Sequence, residues 1–269
     1  MFLPLKFFIR LNEKEPAPIY NGKTLMRPTL LFLSLLVAGA AGAAGPDLGK
    51  QADQDYGLRD DSAKARECLA LYQQIVSEQP SNVEAMWKGS RIAHWIGEHA
   101  ESRSEKLTVF HQGMDLAQRA VSIDSSCVDG YFWLAGNSGS YGKARGILES
   151  LKLLHPIRRE LETVLRLNDR FQGGAGYLIL GVVDYNVPFF AGGNKKRARQ
   201  ELLKALAIDP TNGFNNYYMA EFEDVVGHRA EARKRLEAVE RAGPSDGVDP
   251  ADIRMIQKKG EALKKSLGG

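Results

Sequence analysis

Residues 202–244, LLKALAIDPTNGFNNYYMAEFEDVVGHRAEARKRLEAVERAGP, carry apolar stripes at helical spacing, and their two proline breaks, Pro210 and Pro244, lie 34 residues apart. That is the tetratricopeptide period with no insertion. The internal positions fit the same frame. Met219 and Ala220 fall where the first helix packs, Gly227 at the turn between helices, and Ala232 at the small position where the two helices approach.

The same helix ending recurs upstream at LALYQQIVSEQPSN (69–82), LAQRAVSIDSSC (116–127) and LETVLRLNDRF (161–171). With Pro80, Ser125, Asp169, Pro210 and Pro244 taken as equivalent, the spacings are 45, 44, 41 and 34 residues. In the first unit Met86 and Gly97 fit the frame, with about 11 residues inserted before Ala117 and Ala120; in the second, Tyr131, Leu134 and Gly142 fit, with about 10 inserted. The expected fold is all-α: an α/α superhelix of tetratricopeptide-like repeats with long insertions and a C-terminal capping helix. VDPADIRMIQKKGEALKKSL (248–267) supplies the cap: Asp249 suits the N-cap, Pro250 the first turn, and Ile253, Ile256, Leu263 and Leu267 form one stripe. Lys258, Lys259, Lys264 and Lys265 are read as the solvated face.

The first 44 residues differ in kind. MRPTLLFLSLLVAGAAGAAG, starting at Met26, has a basic start, a short apolar run and small residues at Ala41-Gly42-Ala43, the pattern of an export signal cut near Ala43 or Ala44. The expected organisation is therefore a presequence over 1–44, with the functional start at Met26, and a repeat domain over 45–269 in the periplasm. Cleavage removes five basic and two acidic residues and leaves 31 of each. A balanced chain has no overall pull toward nucleic acid or an anionic surface. Cys68 and Cys127 are separated by 14 frame positions, on the order of 20 Å along the array, so free thiols are expected.

No catalytic constellation, metal site or cofactor motif emerges. His94 and His99 are five apart and face different sides of a helix, and GSYGKARG lacks the spacing of a phosphate loop. An enzyme is not expected. What remains is surface, because the first helices of successive units line the concave face of such an array. The frame places Trp87, Arg91, His94 and Trp95 there from unit one, Phe132 from unit two, and Tyr217, Glu221 and Asp224 from unit four, as a partner-binding set. For Trp87 and Trp95, packing into neighbouring helices is the competing reading.

Unit three breaks the pattern. GGAGYLILGVVDY reads as its first helix, Pro188 stops it, Gly192-Gly193 turn the chain, and Asn194 can cap the next helix. Lys195, Lys196 and Arg197 either help that helix start to hold an anion or are simply solvated. Phe189 and Phe190 must be buried or form a binding wall.

The run from WLAGNSGSYGKARGI (133–147) through LETVLRLNDRFQGGAGYLILGVVDYNVPFFAGGNKKRARQELLKALAIDP (161–210) resembles the T-component family of tripartite ATP-independent periplasmic (TRAP) transporters. The resemblance covers roughly residues 55–245 by its repeat frame. Lys196-Arg197 departs from the family's acidic-basic pair, and the chain lacks a lipobox cysteine. The resemblance implies a transport accessory that docks a periplasmic solute-binding protein and takes a hydrophobic small molecule between helices. It makes Trp133, Asn137, Tyr141, Tyr177, Tyr185, Pro188, Phe189 and Phe190 the candidate ligand lining. A general envelope adaptor without a small-molecule site is the alternative, and a homo-oligomer is left open.

Overall fold

The computed structural model describes residues 47–268 apart from residue 246. The expected export signal and its cleavage site lie outside these residues. The described chain folds into eleven α-helices: α1 (Leu48–Gly57), α2 (Ser62–Glu78), α3 (Val83–His99), α4 (Arg103–Ile123), α5 (Val128–Arg145), α6 (Ile147–Leu167), α7 (Phe171–Asn186), α8 (Lys195–Ile208), α9 (Gly213–Val225), α10 (Arg229–Glu240) and α11 (Pro250–Ser266). A single 3-10 turn, Phe189–Ala191, interrupts the connection from α7 to α8. Among the described residues there is no named strand, and no helix is long and apolar enough to cross a membrane. The first ten helices form five antiparallel pairs in an all-α superhelix of the tetratricopeptide type.

Every unit but the one that starts with α7 opens on a side-chain cap, because the first amides of a helix lack backbone partners. Asn82 accepts from the Ala85 amide, and Asn212 from the Phe214 and Asn215 amides. The equivalent position before α5 is Cys127, whose Sγ accepts from the Gly130 amide at 3.3 Å. That role explains a cysteine at a unit boundary. Both cysteines are buried and unpaired. Asn194 caps α8, and Asp249 forms a reciprocal capping box with Asp252 at the start of α11.

The extra residues of the upstream units lengthen helices. The insertion-free pair α9 and α10 has 13 and 12 residues, whereas α3 and α4 have 17 and 21. Gly97 and Gly142, expected at turns like Gly227, therefore lie inside α3 and α5. Gly97 is a contact position: a Cβ there would sit 2.4 Å from the Phe110 ring. Ala120, Ala205 and Ala232 are fully buried at the small positions where paired helices approach.

The C-terminal helix does more than cap. Ile256 and Leu267 pack with Ala220, Ala232, Leu236 and Val239 of the last pair. Lys258 and Lys265 are exposed as expected, while Lys259 and Lys264 are half-buried and the start of the helix meets the first pair. Ala251 joins the N-terminal core, with Met255 packed against it. The fully buried Arg59 side chain hydrogen-bonds Asp249 at 2.6 Å and pairs with Asp252 at 2.9 Å, while Arg254 pairs with Asp60. Both ends of the superhelix thus meet, and the array closes into a ring.

Candidate ligand chamber on the concave face

Closure converts the concave face into a chamber of about 650 Å³. Its walls come from the first helix of each pair from α3 to α9, with α6 contributing Leu154 and Ile157. Tyr56 of α1 and Asp252, Met255 and Lys259 of α11 complete it. Most of the lining is apolar, with Phe132, Leu178, Ile179, Val182, Val183 and Phe214 among it.

At one end the Arg91 guanidinium lies 3.7 Å from the centroid of the Tyr56 ring and 5.1 Å from that of Trp87. Arg59 lies 4.1 Å from the Tyr56 centroid and 4.5 Å from that of Trp95. Burial pushes the Tyr56 hydroxyl up to about 12 against the pull of both arginines. Arg59 is paired, but Arg91 forms no ion pair among the described residues, and its Nε is buried without a hydrogen-bond partner. The Trp133 indole nitrogen is likewise buried and unpartnered. Arg59 Nε is buried without a partner as well, and all three donors are shut off from solvent, where such groups are nearly always satisfied.

A second polar group joins α3 to α5. The Ser140 hydroxyl donates to Glu98 at 2.8 Å and stands 3.3 Å from His94 Nε2. Burial holds His94 below the ordinary imidazole range, despite the attraction of Glu98. For Glu98, burial raises the pKa, but His94, the Ser140 hydrogen bond, Lys143 and Lys259 together bring it below the ordinary value. At the far end Tyr185 donates to Glu221, and burial beside that carboxylate raises the hydroxyls of Tyr185, Tyr217 and Tyr218.

The glycine-rich start of α7 shapes the wall between these groups. Gln172, Gly173 and Gly174 take φ values of 44°, 68° and 87°, three left-handed residues in succession. The Gly173 carbonyl accepts from Asn215 Nδ2 at 3.0 Å, which ties the bend to α9. Gln172, a non-glycine residue in this region, lines the chamber opposite Gly247. Held strain of this kind concentrates at binding surfaces.

The concave-face residues Arg91, His94, Trp95, Phe132, Tyr217 and Glu221 all reach the chamber. Trp87 does not; it packs against the N-terminal core beside Lys88 and Arg91, and half-buried Asp224 also lies outside. Of the residues taken as ligand lining, Trp133 and Tyr185 are in the wall. Asn137 lies behind it, fully buried, donating to the Ser90 carbonyl and hydroxyl and to the Trp133 carbonyl. Tyr141 faces His111, and Tyr177 lies under Lys204 on the α8 side.

Pro188, Phe189 and Phe190 are a correction to the expected cavity lining. Pro188 caps the 3-10 turn, and the two phenylalanines are 86% and 78% exposed on the outside. The cause is Asp184, 1% exposed, which binds both Arg158 and Arg197. Both arginines also hold the Gly192 carbonyl, and the Asn194 amide donates to the Asp184 carbonyl. This bracing fills the inner side of the turn, and Arg197 is committed to Asp184 rather than to a bound anion.

Sequence reasoning missed Tyr56, Glu98, Gln172, Tyr218, Met255 and Lys259. Glu98 was available as one helical turn beyond His94. Tyr56 and the α11 residues carried no signal in a repeat frame that began within α2.

The fold has independent support. TTC0263, a thermophilic tetratricopeptide protein of Thermus thermophilus, superposes with a TM-score of 0.58 at 19% identity, covering 80% of this chain and all of that one. MamA is more distant, with a TM-score of 0.48 at 17% identity over 71% of this chain and 95% of that one. No curated protein sequence matches. The resemblance to TRAP T-components is overturned by the family model for regulator of microtubule dynamics protein 1-3, which matches residues 48–187, from the start of α1 past the end of α7. That match takes in the WLAGNSGSYGKARGI and GGAGYLILGVVDY segments on which the resemblance rested. By that match, which spans more than half of its length, the chain belongs to the regulator of microtubule dynamics protein 1-3 family.

Proposed function

We infer that this protein is a helical-repeat interaction scaffold whose inner chamber carries an elongated, largely apolar molecule with a hydrogen-bond-accepting end. The observation that carries this reading is an apolar wall around about 650 Å³ with the Arg91 side chain in it, a cation that forms no ion pair among the described residues. That volume is within the ~300–1,000 Å³ of ordinary ligand sites. An extended peptide would need backbone partners along its length, and the apolar wall offers few. The guanidinium would take the acceptor or anionic end, and the apolar wall the body.

Native mass spectrometry of the full-length protein, followed by organic extraction, tests the assignment. The expected result is a retained small molecule that is lost from Leu178→Glu and held less tightly by Arg91→Met. An empty wild type that binds no apolar fluorescent probe would sink it. A protein-adaptor reading is supported by the family's name, since regulating microtubule dynamics is action on a protein polymer. Competition between a bound partner and the apolar probe would place both on the inner face.

A further inference from the structure

Leu148, Phe189 and Phe190 are the three most exposed large apolar side chains among the described residues, at 75%, 86% and 78%. They sit at one edge of the array. Consecutive helices run antiparallel, so the turn from α5 to α6 and the turn from α7 to α8 emerge on the same side. Ile147, also exposed, adjoins Leu148, and exposed Arg145 precedes the pair. Lys195 and Lys196 follow the phenylalanines, are exposed, and form no ion pair among the described residues.

We propose that this edge is a peripheral membrane-docking surface, with Phe189 and Phe190 as the inserting wedge and Lys195 and Lys196 as the contacts to anionic headgroups. The geometry of the turn is the first argument. The two rings stand edge-on, 6.2 Å apart, on a 3-10 turn that the Asp184, Arg158 and Arg197 cluster holds rigidly from behind. The turn is tightly folded: a Cβ on Gly193 would come within 1.8 Å of the Val187 carbonyl oxygen.

The second argument is chemical. Aromatic side chains flanked by lysine, on a tip that projects from the body, match the layering of a bilayer surface, where apolar groups sit beneath the headgroups and cations among them. The turn from α5 to α6 also presents an exposed apolar residue, Leu148, close to an exposed basic one, Arg145.

The test uses the full chain with Phe190→Cys carrying an environment-sensitive dye; the native cysteines are buried and shielded from labelling. The dye reports on this turn alone, whatever the N-terminal residues do. Phosphatidylcholine vesicles containing phosphatidylserine are expected to give a blue-shifted, several-fold brighter signal, and phosphatidylcholine alone a weaker one. Adding Phe189→Asp is expected to weaken the response more than about tenfold, and Lys195→Gln with Lys196→Gln about tenfold. Circular dichroism should show each variant folded, because all of these side chains are exposed. A dye that stays in water with both vesicles overturns the proposal, as does a response unchanged by Phe189→Asp. So does a self-association of unlabelled protein, seen by ultracentrifugation and abolished by Phe189→Asp, without any vesicle response; the wedge would then belong to a protein contact.

Discussion

Arg59 Nη2 lies 2.6 Å from Asp249 Oδ1, a hydrogen bond between residues 190 positions apart that joins the first helical pair to the last helix. The same guanidinium reaches Asp252, and its backbone carbonyl accepts from the Trp95 indole. Burial opposes ionisation of both carboxylates. The Arg59 hydrogen bond outweighs it at Asp249, whose pKa falls below the ordinary range, whereas burial prevails at Asp252 and raises it.

Arg59→Ala should therefore cost stability, because it leaves two carboxylates facing each other without their cation. Removing one partner of a buried pair costs ~3–5 kcal/mol, and the partial exposure of Asp249 places this case toward the lower end. Urea unfolding measures the loss. An apolar probe should also leave the chamber faster than in wild type, which a purely local defect would not produce.

Gly97→Ala is expected to destabilise by about 1–3 kcal/mol, the range for overpacking a filled site. Its new methyl would meet the face of Phe110, a buried ring with little room to retreat. Thermal melts of Gly97→Ala alone and combined with Phe110→Leu check the mechanism. The smaller partner should recover part of the loss.

His94 predicts a pH dependence. Burial lowers its pKa in the folded state, so the unfolded chain binds the proton more readily between the two values. Stability is then present above the unfolded value near ~6.5. It falls as pH drops below that value and levels off beneath the folded pKa. Comparing melting temperature against pH for wild type and His94→Gln isolates this contribution; a slope unchanged by the substitution would contradict it.

Cys127→Ser should leave the start of α5 intact and raise stability by a few tenths of a kcal/mol, since a hydroxyl is a stronger cap than a thiol. Cys127→Ala should lower stability instead. Equilibrium unfolding of both variants gives the sign.

The fold was legible where the chain departs least from its repeat. Pro210, Gly227, Ala232 and Pro244 set a unit without insertion, and that frame carried over well enough to bring Arg91, His94, Phe132 and Tyr217 to one inner face. It misplaced Gly97 and Gly142 because added residues extended helices, and a glycine that admits a neighbouring ring looks the same in sequence as one that turns the chain. Tyr56 and Lys259 were out of reach for another reason: they join the wall only when the ends meet, which depends on the Arg59–Asp249 contact and no local pattern. The outward turn of Phe189 and Phe190 was hidden in Asp184, one acidic residue on an apolar helix whose partners lie on two others.

An open array of helical pairs behaves as a spring, lengthening and twisting with each unit nearly independent of the rest. Here the spring is hooked end to end. Arg59 and its two aspartates act as a clasp, so the array cannot stretch or unwind until that contact is released, and loosening at either end is felt at the other. Release of the terminal helix and loosening of the first pair thereby become one mechanical event.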